Sequence, residues 1–297
     1  MKTLAAPVCR LCGSTDVTLV SSTVSEAPDA AVYGCSGCGI VYVYPIMTEA
    51  EEAAFYAQQF EEYMARRSGP GWKSPEAHFE SYRSEAERRM PLVTPYLRSS
   101  DAMLEIGSST GFFLHAIRGL VSSVTGVEPS DAYRAFATAR GIPTVKTLDA
   151  LDDRRFDAIA LYYVMEHLRD PIAYAADLRA RLNPGGRLLI EVPNVQDALL
   201  SLYRLPAFSA FYWQRAHYHN FSPATLRAVL ERAGFRVETI PVQRYDLSNH
   251  IVWMKEGQPG GNGRYADVLG GEADAAYRKA LMTNWICDTV FGVATMA

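Results

Sequence analysis

No stretch of the 297 residues is apolar over the roughly 18 to 20 positions needed to span a bilayer. The first ten residues, Met1 to Arg10, lack the continuous apolar core of a signal peptide. A cytoplasmic protein without a membrane partner is the expectation. Basic runs are just as scarce. The 29 Lys and Arg stand against 33 Asp and Glu, a formal net charge of −4, and no Lys/Arg cluster could neutralise a string of phosphates. Nucleic acid is therefore not expected as a partner. Internal repeats are absent, and cysteine is rare, at five residues.

What is present is informative by its placement. With 48% hydrophobic residues the chain can bury one large core with a small unit added, but not two full catalytic domains. Four cysteines fall in two pairs near the start, in Cys9-Arg-Leu-Cys12-Gly and Cys35-Ser-Gly-Cys38-Gly, while Cys287 stands alone. In a reducing compartment, thiolates from two such turns complete a tetrahedron around zinc. Val17 to Ser22 and Ile40 to Tyr44 are rich in strand formers, so residues 1–44 read as a zinc ribbon with Cys9, Cys12, Cys35 and Cys38 as ligands. Four thiolates leave no open coordination position for a catalytic water, which makes the zinc structural.

Residues 45–98 read as a helical connection broken at Ser68-Gly69-Pro70-Gly71 and placed to act as a lid. From about Ser99 to Glu238, strand-like and helix-like runs alternate, the pattern of a parallel sheet covered by helices. Strands are expected at Ala102 to Ile106, Ser123 to Val127, Phe156 to Tyr162, Arg187 to Val192 and Arg236 to Thr239. Helices are expected at Phe112 to Gly119, Asp131 to Arg140, Pro171 to Leu182 and Pro223 to Ala233. Ser248 to Lys255 is read as the last strand, closing a domain over 99–256. Residues 257–297 are read as a loop and a helix from about Glu272 to Thr289.

The most telling segment is Glu105-Ile106-Gly107-Ser108-Ser109-Thr110-Gly111, between a strand and an amphipathic helical run. Glycines permit a tight strand-to-helix turn and close approach of a ligand to the helix amino terminus, whose free amides favour an anionic group. Some twenty residues on, Glu128 ends the next strand, where a carboxylate can accept both ribose hydroxyls of an adenosine cofactor. The spacing is acid-x-Gly-x-x-x-Gly, not Gly-x-Gly-x-x-Gly.

Together with Val127-Glu128-Pro129-Ser130, Val164-Met165-Glu166-His167-Leu168-Arg169-Asp170-Pro171 and Leu182-Asn183-Pro184-Gly185-Gly186, this segment resembles the class I methyltransferases. The resemblance implies a Rossmann-like α/β fold, a mostly parallel seven-stranded sheet with helices on both faces, using S-adenosylmethionine. It implies cofactor contacts from Glu105, Gly107, Ser108, Gly111, Glu128, Pro129 and Tyr163, with Leu148 or Thr147 at the adenine. Two amino-terminal Cys-x-x-Cys pairs before such a domain resemble the sugar C-methyltransferases of deoxysugar biosynthesis, although this chain is shorter.

Methyl transfer needs a group to take the acceptor's proton, and candidate bases belong at the carboxyl ends of strands. Glu166, His167, His217 and His219 are the catalytic candidates by that placement. Ala216-His217-Tyr218-His219-Asn220-Phe221-Ser222 is similar to the Glu-His-x-x-x-Phe-Ser element of the sugar enzymes, with alanine in place of glutamate. That favours O-methylation of a sugar, a nucleotide-linked sugar or another small secondary metabolite over C-methylation of a ketosugar. A noncatalytic ribbon that binds a partner is the reading from another class, and a homodimer stays open. The aromatic residues of Leu199 to Trp213 are expected to cover the substrate side.

Overall fold

The computed structural model describes residues 7–68 and 70–296. Met1 to Ala6, within the expected ribbon, and Gly69, within the expected break, lie outside the described residues. The amino-terminal segment forms three short antiparallel strands, β1 (Val17–Ser21), β2 (Ala31–Cys35) and β3 (Val41–Tyr44). Four helices follow, α1 (Glu49–Gln58), α2 (Phe60–Ser68), α3 (Pro75–Ser81) and α4 (Arg83–Val93). Thr48 caps α1 through a reciprocal box with Glu51, and Ser74 caps α3 ahead of a proline at its first turn.

The large sheet opens with β4 (Ala102–Ile106), α5 (Phe112–Ile117), β5 (Ser123–Val127), α6 (Asp131–Ala139) and β6 (Thr144–Val145). It continues with β7 (Phe156–Tyr162), α7 (Pro171–Ala180) and β8 (Leu182–Pro193). These five strands are parallel, and β4, β7 and β8 are almost wholly buried because helices cover both faces. After α8 (Ala198–Ser201) and α9 (Pro206–Tyr212) comes a two-residue strand, β9 (His219–Asn220). Then follow α10 (Pro223–Arg232), β10 (Phe235–Val242), α11 (Leu247–Glu256), α12 (Ala266–Thr283) and β11 (Thr289–Met296). The seven-stranded order is β10-β11-β8-β7-β4-β5-β6, with β11 antiparallel to both neighbours. The expected Rossmann-like fold is the observed one.

Two expectations at the carboxyl end are corrected. Ser248 to Lys255 is not the last strand: it lies in α11, started by Asp246, whose side chain accepts from Asn249 N at 2.8 Å, and ended by Gly257 at φ 65°. The last strand is β11, whose first six residues are buried, so 257–297 is not only a loop and a helix. A run apolar on both faces carries no alternation, and only its slot between β8 and β10 reveals it as a strand.

The small sheet does not end with the ribbon. β9 extends it, Val41 pairing with Asn220 and Tyr42 with His219. Cys9, Leu11, Cys35, Ile40 and Tyr42 belong to the same buried cluster as Leu104, Ile159, Ile190 and Phe221. The ribbon is thus part of the main core on one face.

Candidate active site

The chain runs outward from β4 through β5 to β6, then returns to β7 on the other side of β4. Ligands of such sheets bind in the crevice that this reversal opens at the carboxyl ends of the strands. The glycine turn lies there. Gly107 and Ser108 amides donate to the Val127 carbonyl at 2.9 and 3.0 Å, and the Gly111 amide donates to Ser108 O at 2.8 Å. Gly107 and Gly111 have φ of 68° and 70°, and a Cβ on Gly107 would come 2.8 Å from Val164. Glycine is required by both conformation and space.

Glu128, nearly buried, accepts from Ser109 N and Ser130 N, each at 2.8 Å, which holds its carboxylate across the turn. Burial raises its pKa, opposed by those two amides. Glu105 lies deeper, with one oxygen unpartnered, and burial pushes it up to about 8. Ser108 is fully buried with its hydroxyl unpartnered. Of the other cofactor candidates, Tyr163 follows β7 at φ 58° and meets Thr289 Oγ1 at 3.0 Å. Pro129 is exposed, and Leu148 is buried in the same core cluster as Val127.

Three of the four catalytic candidates come together. One ligand-type atom from each of Glu166, His167 and His217 lies within 4.8 Å of the others, and the two imidazoles meet edge to face at 4.8 Å. His167 Nδ1 is 2.9 Å from the Ala216 carbonyl, which can only accept, so Nδ1 carries the proton and Nε2 is free. Burial lowers His167 to about 4, and burial, with His167 and Arg67, drives His217 well below its usual value. Both are neutral at physiological pH. Glu166 is buried with both oxygens unpartnered and is pushed up to about 8 by burial. His219 is not in the trio; it donates Nδ1–H to Leu168 O at 3.1 Å and pairs with Tyr42. Ala216 sits in an apolar cluster with Met47, Phe55 and Tyr63, so Glu166 is the carboxyl group of this trio.

Several neighbours carry no sequence motif. Tyr56, on α1, places its hydroxyl 3.1 Å from His167 Nδ1. Arg88 and Arg89, on α4, bind the fully buried Glu191 at 2.7 and 2.8 Å, and Arg89 lies over the Tyr162 ring. No local signal marks these partners, which are over 100 residues apart. In the aromatic stretch before His217, Phe208, Tyr212 and Trp213 pack with Trp253 and with Val32 and Val43 of the ribbon, while the buried Tyr212 hydroxyl has no partner and is raised in pKa by burial and by nearby acidic groups that include Glu166.

The four ribbon cysteines also converge. Cys9 and Cys38 sulfurs are 3.6 Å apart and Cys12 and Cys35 sulfurs 3.5 Å, and all four lie within 4.8 Å of one another. Tetrahedral zinc with Zn–S bonds of about 2.3 Å sets sulfurs about 3.8 Å apart, so this cluster can hold the metal.

A sequence profile described as a methyltransferase domain matches residues 78–240. The chain belongs to that family. Over 170 residues it is 31% identical to a tRNA U34 carboxymethyltransferase of Dichelobacter nodosus, spanning 53% of each chain. It is 27% identical over 194 residues to a ubiquinone biosynthesis O-methyltransferase of Xylella fastidiosa, 59% of this chain and 78% of that one. It thus spans about half the length of the first of these curated relatives. The fold is shared with an S-adenosylmethionine-dependent methyltransferase of Archaeoglobus fulgidus. The TM-score is 0.53 at 19% identity, over 80% of this chain and all of that one.

Proposed function

We propose that this chain transfers the methyl group of S-adenosylmethionine to an oxygen of a small polar acceptor: a sugar, a nucleotide-linked sugar or another secondary metabolite. The observation that supports this reading is that the glycine turn with Glu128 follows β4 and β5, while Glu166 and His167, which follow β7, meet His217 in a buried trio. In this reading Gly107, Ser108 and Gly111 receive the methionine end of the cofactor. Glu128 keeps lone pairs beyond those facing the two amides and accepts the ribose hydroxyls. Glu105 supports the turn from below, Tyr163 bounds the pocket, and Pro129 and Leu148 flank the adenosine.

His217, neutral through burial, takes the proton as the acceptor oxygen attacks the methyl. His167, fixed by Ala216, orients it, and Glu166 binds the acceptor. His219 pins the segment rather than reacting. Residues 1–44 act as a structural zinc ribbon, 45–98 cover the rim, and β11 completes the catalytic sheet. The O-methyltransferase relative supports the choice of oxygen, and Ala216 weighs against a ketosugar carbanion. A second reading follows from the tRNA-named relative: an RNA acceptor. The relatives lend no support to the expectation that excluded nucleic acid, and an acceptor screen must contain both classes.

Calorimetric titration with S-adenosylhomocysteine tests the cofactor site. Wild-type protein is expected to bind at micromolar concentration, and Glu128→Ala to lose roughly 1.5 to 3 kcal/mol, the scale of charged hydrogen bonds. No binding by folded wild-type protein ends this reading, and unchanged affinity in the variant removes Glu128 from the site. The pH profile separates the candidate bases. Because His217 titrates well below its usual value, kcat/KM should stay flat from pH 8 to 6 and fall only at lower pH, as the imidazole gains its proton. An acid limb near pH 8 would assign the base to Glu166.

A further inference from the structure

His78 lies in α3, outside every motif, yet it is among the most buried polar residues of the protein, at 1% exposure. Its Nδ1 is 3.0 Å from Thr110 Oγ1, and its Nε2 is 3.3 Å from Ser109 Oγ. Both ring nitrogens are thus spent on consecutive residues of the glycine turn. Ser109 is also the residue whose amide binds Glu128, so one side chain of the helical segment reaches the whole Ser109–Glu128 arrangement. The ring is boxed: Tyr82 stacks on it at 4.2 Å and 8°, Trp72 meets it edge-on at 4.6 Å, and Tyr133 and Phe112 close the sides. Burial holds it neutral, lowered to about 4, so one nitrogen donates and the other accepts, and a hydroxyl can answer either role.

A packing role alone would not explain this placement. An apolar ring would fill the same box without the cost of burying two polar nitrogens, whereas here each nitrogen meets a hydroxyl that faces it from the turn. The turn has little else from outside to hold it. Its own bonds run to Val127 and Glu128, and its residues Gly107, Ser109 and Gly111 all have positive φ. A loop in that conformation holds its ligand geometry only if its surroundings over-determine it.

We propose that His78 is a positioning residue for the cofactor: by bridging Ser109 and Thr110 it fixes the glycine turn in its binding conformation and fastens the helical cover over it. The inference rests on the S-adenosylmethionine reading above. It assigns the segment around α3 a part in cofactor affinity, although none of its residues belongs to the turn. Loosening of the His78 bonds changes the surroundings of Trp72, which is edge-on to the ring and so reports on that contact by its fluorescence.

The decisive variant is His78→Phe, which keeps the ring in its box and deletes both bonds. Expected are a wild-type melting temperature within a few degrees and a dissociation constant for S-adenosylhomocysteine raised about tenfold, as for one or two lost hydrogen bonds. A matching rise in the dissociation rate should appear in stopped-flow Trp72 fluorescence, with Trp72→Phe as the control for the signal. His78→Asn, which restores a polar group near the Nδ1 position, should recover part of the affinity. Faster hydrogen exchange is expected across residues 105–111 of His78→Phe. Wild-type affinity and exchange in a folded His78→Phe protein would overturn the proposal and leave His78 as packing. Should that variant fail to fold, Thr110→Val removes one of the two partners from the other side, and unchanged affinity there overturns it equally. Failure of the wild-type protein itself to bind S-adenosylhomocysteine is a different result, which defeats the cofactor reading and not the bridge alone.

Discussion

Cys35→Ser is expected to leave the protein without bound zinc and to lower its melting temperature by roughly 10 °C. A structural zinc contributes on the order of 10 kcal/mol to the folding of an isolated finger. Losing even a third of that, at about 2 to 4 °C per kcal/mol for a domain of some 150 to 250 residues, accounts for the shift. Cys35 ends β2, is 3% exposed and lies in the main core with Ile40 and Tyr42, so its loss does not stay local. β3 pairs with β9, and Val43 N donates to Tyr218 O at 3.1 Å, so a ribbon that loosens also releases the strand beginning two residues after His217. Methyl transfer should fall along with stability, while S-adenosylhomocysteine binding should be affected less, because the hydrogen bonds of the glycine turn run to Val127, Glu128 and His78 and not to the ribbon. Metal analysis by mass spectrometry and scanning calorimetry on one sample check this. A zinc-free variant with the wild-type melting temperature would refute the ribbon.

For His217→Ala the expected result is a drop in turnover of about 100-fold or more, the range for loss of a general base, with cofactor affinity held near wild type and a modest fall in melting temperature from the cavity left by the buried ring. The ring makes no side-chain hydrogen bond among the described residues, so its removal orphans no partner, and it is not in the glycine turn. Turnover is read on acceptors found by screening sugars, nucleotide sugars and RNA with labelled cofactor. A variant with normal turnover would pass the proton-accepting role to Glu166 or to the acceptor itself. One that also lost cofactor binding would mean that the trio supports the cofactor pocket instead.

The parallel half of the sheet was legible residue by residue. Ala102–Ile106, Ser123–Val127 and Phe156–Tyr162 have the expected ends, because each is a short apolar run bounded by turn formers and helix caps. The glycine turn and Glu128 were legible for the same local reason: positive φ and a strand-end carboxylate are written in neighbouring residues. The antiparallel end was not. α11 resembles a strand by composition until its Asp246 cap and Gly257 stop are weighed, and β11 is recognisable only beside its partners. The trio was legible as three candidates but not as a group, since His217 reaches Glu166 only through the path of β8, α8 and α9.

Local chemistry, then, determined the class of fold, the pairing of the four converging cysteines and the glycine turn with its strand-end carboxylate, because each depends on spacings of a few residues. Tertiary structure alone decided that the ribbon shares the main core and extends through β9. It also decided that His219 faces Leu168 and stands apart from the trio, and that His78 reaches back to Ser109 and Thr110. Those are contacts between segments some 30 to 180 residues apart. They form because burying apolar faces brings the segments together, and the polar groups carried in with them must then find partners where the packing leaves them.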